Sequence, residues 1–311
     1  MEDDRPRDGH RDGLLLGVAA YGLWGAFPLF FPLLRPAGAL EILAHRMVWS
    51  LVTMLLLVAL LGKISALRAI VVDPRTRSLL VVAALTITVN WAVFIYGVNA
   101  GRVVETSLGY FVNPLVTVLI GVLLLRERLR PGQWLAVGVG GVAVAVLTWD
   151  YGRPPWVALA LAVSFGTYGL AKKRADVGAV ESLAFETAVV SPLAVGYLVW
   201  LGATGAGTFT TEGVAHALLL ASAGLVTAVP LICFSAAATR IPMVSLGLLQ
   251  YLTPVLQFAV GVLVVGEDMP PGRWAGFALV WLALAVFTVE SLRHRREVLA
   301  TRRADVRDAT V

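Results

Sequence analysis

The 311-residue chain is 58% hydrophobic and only 14% charged, with a mean hydropathy of +0.81 and a formal net charge of +5. That balance excludes a soluble domain of this length and defines a polytopic all-α membrane protein. The basic excess is no nucleic-acid footprint, because arginines gather at the ends of apolar runs, six of them after residue 292.

Residues 1–12 are polar and predict a cytoplasmic tail. The apolar run that follows is too long for a signal peptide and lacks a small-residue cleavage pattern, so the N-terminus is expected to be retained. Crossing roughly 30 Å of hydrocarbon takes about 20 helical residues at about 1.5 Å each. Ten runs meet that length, near 14–34, 42–61, 78–99, 103–125, 132–149, 154–171, 179–201, 213–236, 241–265 and 271–291. A basic tail, 292–311, closes the chain.

Polar side chains at membrane depth are costly unless they face a cavity or one another, so each run is read for them in turn. Span one offers Tyr21 and Trp24. Span two opens with Glu41, His45 and Trp49 at i, i+4, i+8, with Arg46 beside them. This group reads either as a charge-recognition, coupling or gate site, or as a local Glu41–Arg46 ion pair. Span three adds Asn90, Trp91, Tyr96 and Asn99. In span four Tyr110, Asn113 and Thr117 follow an i, i+3, i+7 stripe around Pro114; in span nine Gln250, Thr253 and Gln257 do the same around Pro254. The prolines each free a backbone carbonyl and are candidate hinges. These stripes, with spans one and three, form the expected solute-binding set, the alternative being interhelical packing bonds worth about 0.6 kcal/mol each. Span seven carries Glu181 and, deeper, Glu186, a second coupling or gate candidate. Glycines Gly138, Gly140 and Gly141 suit close packing of span five, within a monomer or across a homodimer.

A long string repeats at an offset of 140: proline, six residues, Gly-Val-Leu, three residues, glutamate, three residues, Pro-Gly, one residue, tryptophan, from Pro114 to Trp134 and from Pro254 to Trp274. Ala39, Glu41, Leu43 and Ala44 likewise match Ala179, Glu181, Leu183 and Ala184. The first glutamate turn, around Glu127, is basic; the second, around Glu267, is not. Five spans per repeat is an odd number, so the halves 13–150 and 151–291 are expected to cross the bilayer in opposite senses. With both termini cytoplasmic, 20 of the 25 lysines and arginines fall on the inside. Enzyme chemistry finds little support: the histidines His10, His45, His216 and His294 are scattered, lone Cys233 excludes a disulfide and a cysteine-rich metal site, and no phosphate-cradling glycine loop occurs. No cofactor is expected.

The stretches Tyr21-Gly22-Leu23-Trp24-Gly25, Glu41-Ile42-Leu43-Ala44-His45-Arg46, Asn90-Trp91, Ser107 to Leu115 and Glu127-Arg128-Leu129 resemble the RarD group of the EamA transporters, in the drug/metabolite transporter superfamily. The second half matches more loosely, Gly266-Glu267-Asp268 replacing the basic turn. The resemblance implies a ten-helix permease of the bacterial inner membrane, built from two EamA repeats, that carries small metabolites, amino acids or drugs, commonly outward. The expectation is therefore a secondary transporter of small organic solutes, an exporter using alternating access, with proton coupling left open. An uncoupled facilitator or exchanger shares these features; an integral-membrane enzyme acting on lipid is less favoured, for want of charged clusters at one membrane face.

Overall fold

The computed structural model describes residues 5–125 and 129–308. Its helices run in chain order α1 (Arg5–Gly25), α2 (Phe27–Phe30), α3 (Ala39–Leu60), α4 (Ile64–Val72), α5 (Pro74–Asn99), α6 (Val103–Leu125), α7 (Pro131–Tyr151), α8 (Trp156–Ala175), α9 (Ala179–Thr204), α10 (Gly213–Ala238), α11 (Met243–Leu249), α12 (Leu252–Ala259) and α13 (Pro271–Asp308). A 3-10 turn, Phe31–Leu34, extends α2, and a π-turn, Val260–Val264, extends α12. Among the described residues eight helices are long and apolar enough to cross a membrane, or nine if the bent pair over 10–34 is one span.

Several departures from the predicted spans have local causes. The first run bends by 43° between α1 and the α2 segment, where Pro28 and Pro32 follow in quick succession. An extra helix, α4, fills the loop before α5 and buries Ile70. Helix α5 starts where a helix should: Asp73 accepts from the N–H groups of Arg75 and Thr76, the Thr76 side chain and then these N–H groups hold its carboxyl below the usual range, and Pro74 follows. Helix α13 continues through the expected tail to Asp308, since no glycine or proline interrupts residues 277–308. The two repeated prolines behave differently. Helix α6 runs unbroken through Pro114, whereas the ninth run breaks at Gln250–Tyr251, one turn before Pro254.

The chain forms two compact units. The larger, residues 1–110 and 157–268, has a core that includes Phe31, Leu34, Ile42, Met47, Ile95, Leu161 and Leu220. Within it α3 packs against both α9 and α10. Each of α3 and α9 ends in a left-handed glycine, Gly62 and Gly205, with an i→i−5 bond from the residue after (Lys63 N–H to Val58 O, Ala206 N–H to Leu201 O). These turns carry the chain to the opposite helix. Thr208 meets Glu41 in the first turn of α3, and Lys63 meets Glu181 in the first turn of α9. The two helices are therefore antiparallel, and the two glutamates that make these end contacts, Glu41 and Glu181, are 140 positions apart.

Helix α10 approaches α3 so closely that a Cβ at Gly224 would collide with the backbone carbonyl of Trp49 and lie 2.8 Å from Thr53 Oγ1. Backbone cannot yield as a side-chain tip can. Gly224→Ala is expected to lower the stability of the purified protein by about 1–3 kcal/mol, read as a fall in its melting temperature in detergent. Gly138→Ala, which meets nothing within 4 Å, serves as the silent control.

The second unit, residues 111–156 and 269–311, rests on α7 against α13. Arg130, just before α7, pairs with Glu290 at 3.1 Å, and Asp150, near the end of α7, pairs with Arg273 at 3.2 Å. Glu290 lies against Gly132 and Asp150 against Gly272, so each carboxylate covers the Pro-Gly start of the opposite helix. These helices too are antiparallel, and the two carboxylates, Asp150 and Glu290, are again 140 positions apart. Glu127 lies outside the described residues.

Candidate functional site

The first turns of α3 after Ala39 carry an unbroken buried stretch, Glu41 to Met47, so two opposite faces of one helix are polar and enclosed at once. One face presents Arg46. Its Nε donates to Thr227 Oγ1 of α10 at 3.0 Å, and Thr227 passes its own proton to Ala223 O at 2.9 Å. The guanidinium lies 4.0 Å from the ring centroid of Trp91 on α5, with Phe27 and Phe31 at 5.3 and 5.7 Å. The bend after α1 delivers those two phenylalanines, so the prolines that break the first run also build this box.

An aromatic line leads from it: Phe31 to Phe94, Phe94 to Tyr110 and Tyr110 to Phe165, each within 5.9 Å. Asn90 fixes the line by accepting from the Tyr110 hydroxyl at 3.1 Å and donating to Leu161 O and Ser164 Oγ. Asn90 and Tyr110, predicted in separate spans, thus form one network in which the amide's donors and acceptor are all engaged.

The other face of α3 presents Glu41, His45 and Trp49, as the i, i+4, i+8 spacing predicts. The expected alternative, a Glu41–Arg46 ion pair, is not formed, because the two side chains point to different neighbours. Glu41 accepts from the backbone N–H of Thr208 at 2.6 Å and from its hydroxyl at 3.1 Å; Thr208 Oγ1 lies 2.8 Å from His216 Nε2. His45 stacks on Phe209 with ring centroids 4.7 Å apart. Both its ring nitrogens are buried without a hydrogen-bond partner.

The acids of the second half are also engaged. Glu181 pairs with Lys63 and Glu186 with Lys172, both at 2.9 Å, and Lys172 further donates to Ser182. Two more carboxylates cap helices other than their own: Glu267 accepts from the N–H groups of Val103 and Val104 at the start of α6, and Glu105 from Val157 N–H at the start of α8. Sequence inspection counted Lys172 only among the basic residues of the cytoplasmic side and gave Glu105 no role. A lone acid in the first turn of an apolar helix was the available signal for the latter.

The span-nine stripe turns toward α1. Thr253 Oγ1 donates to Tyr21 O at 2.8 Å, and Gln257 Nε2 to Trp24 O at 3.2 Å. The second bond has a simple cause: Trp24 O would ordinarily receive the N–H four residues on, but that residue is Pro28. The rings of Tyr21 and Trp24 pack edge-on together and against Phe234. Gln250 is exposed at the helix break, and Tyr96 is 41% exposed. Asn113 and Thr117 belong to the smaller unit, where Thr117 Oγ1 lies 3.4 Å from Asn113 Oδ1. The ten expected solute-binding residues therefore divide among an Asn90–Tyr110 network, a Tyr21–Trp24–Thr253–Gln257 group, the Asn113–Thr117 pair and two exposed positions. Thr227, Phe27, Phe31 and Ser164 are the additions that sequence inspection did not single out.

Among the described residues, helices of membrane length and apolarity with buried charge between them define a multi-pass membrane protein. The model of the EamA-like transporter family matches residues 11–149. Protein RarD of Streptomyces exfoliatus is 57% identical over 286 residues, 92% of this chain and 91% of that one, and an uncharacterised transporter of Pseudomonas aeruginosa is 42% identical over 301 residues, covering 93% and 97%. A protein of known crystal structure superposes with a TM-score of 0.58 over 89% of this chain and 97% of the other, at 20% identity, so the fold is one already observed experimentally. This chain belongs to the RarD-type EamA transporters. It is a membrane transporter, not an enzyme.

Proposed function

We propose that the protein is a secondary transporter of small organic solutes in the bacterial inner membrane, working as an exporter by alternating access between two inverted five-helix halves, 13–150 and 151–291. Ten spans result when the bent pair over 10–34 counts as one and the 20-residue α8, which ends in Lys172, Lys173 and Arg174, is added. The observation that carries the reading is the exchange of end contacts by carboxylates at an offset of 140: Glu41 with Thr208 against Glu181 with Lys63, and Asp150 with Arg273 against Glu290 with Arg130. Antiparallel equivalents are what a two-fold axis in the membrane plane requires, and rocking of such halves opens a midplane site to either side in turn. Asn90, Tyr110 and Arg46 are the solute-facing residues of this reading. Tyr21, Trp24, Thr253 and Gln257 join α1 to a ninth span broken beside Pro254, a hinge, and Asn113, Thr117 and Pro114 serve the fourth span.

Uncoupled exchange is favoured by one observation: Glu41, Glu181 and Glu186 all have polar partners, which leaves His45 as the coupling candidate without one. The purified protein in liposomes is expected to take up members of a panel of labelled metabolites and antibiotics with saturation and counterflow. Uptake that rises linearly with concentration would instead indicate a pore. Proton movement tied to solute movement, lost in His45→Gln, separates the coupled from the uncoupled form.

A further inference from the structure

We infer that Arg46 is the anion-binding residue of this transporter and that its solute carries a single carboxylate. The inference rests on the transport reading above and narrows its substrate class. Arg46 is 4% exposed and is the buried lysine or arginine of the described residues. No carboxylate lies within 4.0 Å of it among them: Glu41 is held by Thr208, Glu105 by the start of α8, Glu181 by Lys63 and Glu186 by Lys172. An ionised guanidinium taken out of water carries a penalty of several kcal/mol unless paired. A face-on contact with Trp91 and one hydrogen bond to Thr227 offset part of that, and both leave the terminal nitrogens alone.

The geometry says which anion. Thr227 occupies Nε, and the ring of Trp91 occupies one face of the guanidinium, so the unused donors are the in-plane N–H groups of the terminal nitrogens. That planar fork matches the two oxygens of a carboxylate. A phosphate monoester dianion would call for a second buried cation, and among the described residues Arg46 is the only buried lysine or arginine. Asn90 and Tyr110 spend their polar groups on each other and on α8, so the remainder of the solute meets mainly aromatic surface.

The test is efflux from liposomes containing the full chain and loaded with the small-molecule fraction of bacterial cytosol, the released solutes being identified by mass spectrometry against protein-free liposomes. Solutes released with saturation should be carboxylate monoanions at pH 7. Arg46→Gln should weaken their apparent affinity at least about 30-fold, the loss expected when one partner of a buried charge pair is truncated. Arg46→Lys, keeping charge but not the fork, should fall between. Saturable release of neutral solutes, cations or phosphate esters, or unchanged affinity in Arg46→Gln, would overturn the inference while leaving transport intact. Protein-dependent release of nothing would count against the transport reading itself. Should Arg46→Gln fail to fold, the charge selectivity of the unmodified protein still decides.

Discussion

Replacing Lys172 by methionine is expected to destabilise the protein by about 3–5 kcal/mol, because it removes the cation paired with a Glu186 that is 1% exposed. Glu186 Oε1 meets Lys172 Nζ at 2.9 Å, with the Tyr168 and Ser182 side chains beside the carboxyl group, and its Oε2 has no hydrogen-bond partner. Lys172 in turn stands 5.7 Å from the ring centroid of Tyr168 and donates to Ser182. The double variant Lys172→Met with Glu186→Leu should recover most of the loss, since an apolar pair of similar volume removes both desolvation penalties together. Melting temperatures of the wild type, both single variants and the double variant in one detergent give the coupling directly. Additive losses would mean that the two side chains do not depend on each other. The same set bears on function: if Glu186 is a coupling carboxylate, the double variant regains stability but not proton-linked transport.

That pair marks the limit of what the sequence could disclose. Apolar runs announced the spans because membrane length and backbone satisfaction leave little choice of structure. The 140-residue offset relates Glu41 to Glu181 and Asp150 to Glu290, carboxylates that each reach the neighbouring end of an antiparallel helix, but with different partners: Thr208 for Glu41 and Lys63 for Glu181. Side-chain direction was not announced. Thr253 and Gln257 lie on the stripe expected to line a path, yet both reach the backbone of α1, Gln257 because Pro28 leaves Trp24 O without its helical donor. Arg46 looked like a partner for Glu41 five residues away, but its contacts come from residues 15, 19, 45 and 181 positions distant in the chain. A proline seen twice could not tell which copy would break its helix. Pro114 is followed by continuous α6, while Pro254 stands beside a break and a π-turn. Local pattern specifies what a helix is; the neighbours it packs against decide where its polar groups go.

Thr211→Cys and Arg75→Cys, each introduced after Cys233→Ala, are expected to label from opposite sides of the membrane. Both positions are exposed; Thr211 follows Thr208 beyond the end of α9, and Arg75 begins α5 shortly after Lys63 and the end of α3. Because Glu41 holds Thr208 and Glu181 holds Lys63, the two loops sit at opposite ends of the antiparallel α3–α9 pair. In the proposed orientation the α4 side, with Lys63, Arg68, Arg75 and Arg77, faces the cytoplasm. A membrane-impermeant maleimide added to intact spheroplasts should therefore modify Thr211→Cys essentially completely and leave Arg75→Cys unmodified until the membrane is opened. Labelling of both from the same side would break the antiparallel geometry and the inverted halves with it. Labelling of Arg75→Cys alone would keep the geometry but reverse the orientation, so that export becomes import for the same rocking motion.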